Sequence, residues 1–178
     1  MIYRPLGKTG LRVSALGFGT MRLPMTADDR AVDRDQALPL LAEALAGGVN
    51  YFDSAVGYCN EDSQRCLGEA LQSWFRAAHP RESVVVSTKN PHYDKHDKAK
   101  WWKNLENSLE RLRVQHIDVY HHHSLDWKNF NEHVAGRDGL YREMVKARDQ
   151  GLIRHIAFSW HDEVKYLHQV IDTGVFES

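Results

Sequence analysis

Cysteine is scarce in this sequence. Two occur in 178 residues, Cys59 and Cys66. They are too few for a disulfide framework and their spacing matches no zinc-binding pattern, so free thiols are expected. No apolar run approaches the ~20 residues of a membrane span. The opening MIYRPLGKTG also lacks the charged, apolar, small-residue order of a secretory signal. The expectation is a cytoplasmic chain with no membrane partner. An excess of either charge is missing as well. Lys plus Arg total 23 against 24 Asp plus Glu, a formal net charge of -1, which gives no reason to expect a nucleic acid or an acidic surface as partner. What is present is an ordinary globular composition, 42% hydrophobic and 26% charged, with room for one domain.

Short apolar runs recur along the chain: ALGF near Leu16, VNYF ending at Phe52, SVVVST from Ser83, HIDVY from His116 and IRHIAFS from Ile153. A helical pattern follows each. Leu67, Leu71, Trp74 and Phe75 make one stripe, Trp101, Leu105, Ser108, Leu109 and Leu112 a second, and Leu140, Tyr141, Met144 and Val145 a third. The Trp101–Trp102 pair reads as one core and one surface ring. Asp162 is placed to cap a helix carrying Val164, Leu167, Val170 and Ile171, and Gly151 and Gly174 fall just past helix ends. Pro39 conflicts with a helix opening at Asp35, whose first turn should be irregular or start later.

One strand, one helix and two loops per repeat is the pattern of right-handed βα units around a parallel sheet. IYRPLGKTGLRVSAL, ahead of them, reads as a hairpin turning at Gly7 to Gly10, a lid or plug. Five units suit a flavodoxin-like open sheet, or the first part of an eight-unit barrel. A doubly wound nucleotide binder wants a glycine-rich turn opening a helix. Gly17-Phe18-Gly19 is only the beginning of one.

In either fold the reactive face lies at the carboxyl ends of the strands. Asp53 and Tyr58 follow the second run, Lys89 the third, His121, His122 and His123 the fourth, and Ser159 and His161 the fifth. Singly, these are turn, loop or solvated residues. Together, an acid, a phenol, an ammonium and an imidazole make a proton-transfer site: a lysine charge stabilises a tyrosinate, and an aspartate holds the lysine in place. A competing expectation uses His121 and His123, which share a strand face, as zinc ligands of a (β/α)-barrel hydrolase with His161 and Asp126 completing the set.

These residues carry a resemblance to the aldo-keto reductases, NADPH-dependent (β/α) barrel enzymes. YRPLGKTGLRVSALGFGTMRLP resembles the family's opening hairpin and first strand, GGVNYFDSAVGY its second strand and VSTK its third. HIDVYHHH follows its Asp-x-Tyr-x-x-His spacing from Asp118 to His123. The resemblance implies an α/β fold, a parallel (β/α) barrel of TIM type, with residues 1–178 a single domain of about five of the eight βα units behind an N-terminal β-hairpin. It implies reduction of an aldehyde or ketone by NADPH, with Asp53, Tyr58, Lys89 and His123 as catalytic tetrad and Tyr58 as proton donor. Gly19, Thr20, Asp53 and Ser159 are then expected beside the cofactor, Ser159 at the nicotinamide carboxamide, although many members have Asn where Trp160 stands. GLIRHIAFSWHD is most similar to the branch that often carries a C-terminal iron–sulfur domain, for which this sequence has no cysteine cluster.

The sequence ends at GVFES, where the family's sixth strand would begin, and the family holds the pyrophosphate mainly after its seventh and eighth strands. The expectation is a fragment, a chain completed by a partner, or a half-barrel that self-associates through unpaired edges and apolar faces, catalytic or as a non-catalytic scaffold.

Overall fold

A computed structural model describes residues 1–177. The apolar runs become the strands of a single five-stranded parallel sheet: β3 (Phe18–Gly19), β4 (Tyr51–Asp53), β5 (Val85–Asn90), β6 (Ile117–Leu125) and β7 (Ile153–Trp160). The helices between them are α1 (Arg34–Ala46), α2 (Ser63–Arg76), α3 (Lys98–Leu112) and α5 (Tyr141–Asp149), and α6 (Val164–Asp172) follows β7. A short insertion, α4 (Trp127–Asn129) running into a π-helical turn at Phe130–Val134, lies between β6 and α5.

Spatial order β3-β4-β5-β6-β7 repeats the chain order without a reversal. A doubly wound sheet reverses its strand order at a switch point, whereas a barrel adds each strand beside the last. The strictly sequential order is therefore that of a (β/α) barrel wall.

Side chains alternate across a strand, and the two faces differ in what they meet. Phe52, Val86, Tyr120 and Ile156 point outward and pack with Leu67, Leu71, Trp101, Leu105 and Met144 of the helices in one buried cluster. Val85, Val119 and Ala157 point inward and pack against Leu6, Leu11 and Val13. Those last three belong to the hairpin β1 (Tyr3–Pro5) and β2 (Arg12–Ser14), paired antiparallel through a turn in which Gly7 and Gly10 take positive φ. The hairpin plugs the amino-terminal end of the sheet's interior face and leaves the carboxyl end open.

Four local expectations need correction. Leu16 is 63% exposed and β3 begins two residues later, because the chain turns first, with the Ser14 hydroxyl donating to the Leu16 carbonyl at 2.6 Å. The first helix opens at Arg34 with Pro39 inside it. Asp33 caps it, accepting from the amides of Asp35 and Gln36 at 3.0 and 3.3 Å. Asp35 and Pro39 are both exposed, so the carbonyl that Pro39 leaves without its helical donor lies on the solvent side of the helix. Asp162 does not cap α6. Its carboxylate accepts from the amides of Trp127 (3.0 Å) and Glu163 (2.7 Å), tying the β6–α5 insertion to the loop after β7. Finally, β6 outruns its apolar core and passes through an irregularity between His122 and Leu125, where Ser124 has φ 57°.

Candidate functional site

Asp53, Lys89 and His123 stand on the inward faces of β4, β5 and β6 toward their carboxyl ends, and Tyr58 comes back over them from the loop after β4. Asp53 and Ser87 are register partners, as are Lys89 and His121, so neighbouring strands deliver these side chains to two successive levels of the same interior face. Lys89 is only 7% exposed. Its ammonium is paired with Asp53 Oδ2 and donates to the Ser54 carbonyl at 2.9 Å. A buried ammonium requires such partners, since desolvation alone would discharge it. The same ammonium lies 5.0 Å from the centre of the Tyr58 ring, within cation–π range. The His123 imidazole meets that ring edge-on, with centroids 5.7 Å apart.

Tyr58 is held by an unusual turn. Cys59, Asn60 and Glu61 all adopt left-handed backbone, with φ of 50°, 54° and 68°, a conformation costly for non-glycine residues and maintained only where surroundings enforce it. Here the Asn60 amide donates to the Asp29 carbonyl at 2.6 Å, and Arg111 of α3 is paired with Glu61 at 2.8 Å. The next residue, Asp62, accepts from the Val32 amide at 2.9 Å and is paired with Arg34, which holds its carboxyl below the usual range.

Electrostatics separate the histidines. Burial lowers His123, the nearby Lys89 and His161 charges lower it further, and Asp53 only partly opposes them. It is a neutral imidazole at neutral pH. Burial pushes His121 down to about 4 and His122 to about 3. His121 lines the interior with Nε2 3.0 Å from Ser87 Oγ. His122 points outward, fully buried, against Tyr93. The strand thus turns the three adjacent histidines to alternating faces, and only His123 reaches Tyr58.

The zinc arrangement does not assemble. Asp126 caps α4, accepting from Asn129 at 2.6 and 2.8 Å. Among the described residues no three His, Cys, Asp or Glu side chains are grouped to hold a metal ion.

Of the residues expected beside a cofactor, Gly19 is exposed, next to Asp53 in register, with open space where a Cβ would stand. Ser159 Oγ accepts from the Ser124 amide at 2.7 Å, which leaves its hydroxyl proton to donate elsewhere. A carboxamide oxygen suits that donor, so the donor set fits a nicotinamide amide here. The side chain of Thr20 faces away from the mouth. It has no exposed surface, and its hydroxyl bonds the Asp53 carbonyl at 3.0 Å and Ser63 Oγ at 2.6 Å. It braces the end of β4 from behind, together with Ser63 and Ser54, whose hydroxyls are 2.9 Å apart.

Sequence reasoning passed over Ser87, whose hydroxyl donates to Asp53 Oδ1 at 2.7 Å. The signal was available: two residues before Lys89 on a strand is the same face. Ser54, whose carbonyl accepts from Lys89, gave none.

The aldo/keto reductase family model matches residues 15–176. L-galactose dehydrogenase of Arabidopsis thaliana is 32% identical over 159 residues, 88% of this chain and 47% of that protein. The NADH-specific methylglyoxal reductase of Escherichia coli is 30% identical over 172 residues, 85% of this chain and 50% of that protein. Among solved structures, an aldo-keto reductase from Bacillus halodurans in its holo form superposes with a TM-score of 0.72 at 26% identity, covering 90% of this chain and 50% of that one. The chain spans about half the length of the curated relatives it matches.

Proposed function

The chain belongs to the aldo/keto reductase family, and on that premise we propose that it carries the proton-transfer centre of an NADPH-dependent oxidoreductase that reduces an aldehyde or ketone to an alcohol. The observation that carries this reading is the Lys89 ammonium, buried between the Asp53 carboxylate and the Tyr58 ring at the carboxyl ends of adjacent strands. The arrangement is that of a general acid with its charge stabiliser already in place.

In this reading the Tyr58 hydroxyl gives its proton to the carbonyl oxygen of the substrate as that oxygen becomes negative. The phenolate left behind has the Lys89 ammonium beside its ring, a positive charge near where the negative charge develops. Asp53 pairs with that ammonium and holds it in position. Neutral His123, standing against the Tyr58 ring, donates a second hydrogen bond to the same oxygen and fixes its orientation. A reduced nicotinamide, held with its carboxamide on the Ser159 hydroxyl and its ring near Gly19, would supply the hydride.

Titrating NADPH into the chain while following the cofactor's fluorescence, and assaying carbonyl-dependent NADPH oxidation, tests the reading. Saturable binding and turnover that disappears in Tyr58→Phe support it. Turnover that persists in Tyr58→Phe, or no response to NADPH or NADH at any concentration, would overturn it.

A further inference from the structure

Level in register with Asp53 and Lys89, on the same interior face, lie two polar side chains, Ser87 and His121, that the proton-transfer reading leaves unused. Ser87 is fully buried, with its hydroxyl donating to Asp53 Oδ1 at 2.7 Å and its Oγ 3.0 Å from His121 Nε2. Their apolar neighbours on that face are Val119, level with Ser87, Ala157, level with His121, and Val85, one layer below Ser87. Burying polar groups here costs free energy that hydrogen bonds offset: Ser87 makes two, and His121 makes one through Nε2 while its Nδ1 has no partner.

The direction of the bonds follows from the groups. An ionised carboxylate only accepts, so the single Ser87 proton goes to Asp53. The contact with His121 must then run from imidazole to Ser87 Oγ, which places the hydrogen of the neutral ring on Nε2. The chain reads His121 Nε2–H to Ser87 Oγ–H to Asp53 Oδ1, while Asp53 Oδ2 receives the Lys89 ammonium. With each carboxylate oxygen committed to a different donor, the Asp53 carboxylate has one orientation.

We propose that Ser87 and His121 are positioning residues for proton transfer: they lock the rotation of the Asp53 carboxylate and thereby hold the Lys89 ammonium against the Tyr58 ring. This rests on the reading of Tyr58 as proton donor. Without the lock the carboxylate swivels, Lys89 loses its fixed place, and the proton leaves Tyr58 less readily, while substrate binding at the mouth is untouched.

Two measurements test the proposal. Nitrogen-15 spectra of the histidine side chains in the wild-type chain report which ring nitrogen bears the proton, without any ligand. The expected result is Nε2–H for His121, with that preference lost in Ser87→Ala. In steady-state assays Ser87→Ala lowers kcat by about tenfold, the worth of one charge-assisted hydrogen bond. It leaves KM within about twofold and shifts the pH profile of kcat, while Ser87→Thr, which keeps the hydroxyl, restores all three. A His121 proton found on Nδ1 overturns the proposal, as does an unchanged kcat–pH profile in Ser87→Ala within an active enzyme. A wild-type chain inert toward carbonyls that still shows the Nε2–H form instead defeats the reductase reading, and the positioning role with it.

Discussion

The Tyr58 ring and the His123 imidazole stand edge to face, their planes at 84° and their centroids 5.7 Å apart. A histidine so placed shares the mouth with the phenol, and the proposed proton transfer uses both on one carbonyl oxygen. Tyr58→Phe preserves the ring, its contact with His123 and its place over Lys89, and removes only the hydroxyl. Carbonyl-dependent NADPH oxidation is expected to fall by about a hundredfold or more, with circular dichroism and thermal midpoint unchanged.

Lys89 and Asp53 are coupled by burial. Asp53→Asn leaves an ammonium that is 7% exposed facing a neutral amide, and is expected to destabilise the fold by about 3 kcal/mol. Lys89→Met alone strands the carboxylate, whose side chain is 26% exposed, at smaller cost. The double variant Asp53→Asn/Lys89→Met should recover most of the loss. Urea denaturation of the four proteins closes the cycle, and strict additivity would mean the pair is not coupled.

Acid should unfold the chain through its buried imidazoles. Both ring nitrogens of His122 are buried without a hydrogen-bond partner, and burial holds it down to about 3, against an ordinary value near 6.5. A group whose folded value is depressed favours its neutral form in the fold. Its contribution is full above pH 6.5 and is lost as pH falls toward 3. His122→Phe is expected to flatten the stability–pH curve between pH 6 and 4 by about 1.4 kcal/mol per pH unit. Identical slopes for wild type and variant would show that His122 is not the group responsible. His121, held near 4 by burial, leaves a residual slope in the variant.

Gly68 marks where α2 touches α3. A Cβ there would meet the Arg111 carbonyl oxygen and come 2.9 Å from the Leu112 carbonyl carbon, backbone that cannot swing aside. Gly68→Ala gains helix propensity of about 1 kcal/mol, yet the clash should dominate and give net destabilisation of about 2 kcal/mol. A raised thermal midpoint would show that the helices separate without cost.

Much of this was legible in the sequence because period and punctuation are local. The apolar runs from His116 and Ile153 begin within a residue of the observed strands, since fully apolar runs between helices leave little choice. Tyr58 and Lys89 could be placed because the carboxyl ends of barrel strands all open on one side. What stayed hidden depends on partners distant in sequence. Thr20 looked like a mouth residue from its position after β3, but Ser63, 43 residues away, takes its hydroxyl inward. Asp126 and Asp162 looked like ligand and cap until the insertion between β6 and α5 gave each of them backbone amides to satisfy. Pro39 misled because the penalty for a proline depends on whether the carbonyl it leaves free faces water.

The left-handed turn from Cys59 to Glu61 makes the segment behind Tyr58 a gauge of fixed length. Three successive residues wind against the natural hand of the chain, with Asn60 tied to Asp29 and Glu61 to Arg111. Side-chain identity at Cys59 can drift, toward glycine most easily, because that residue need only tolerate positive φ, whereas Asn60 and Glu61 also anchor the turn. Length cannot drift. A single insertion or deletion between Tyr58 and Asp62 would rotate the phenol away from Lys89 while leaving every strand and helix of the barrel wall intact, so substitutions should be far better tolerated here than a change of one residue in length.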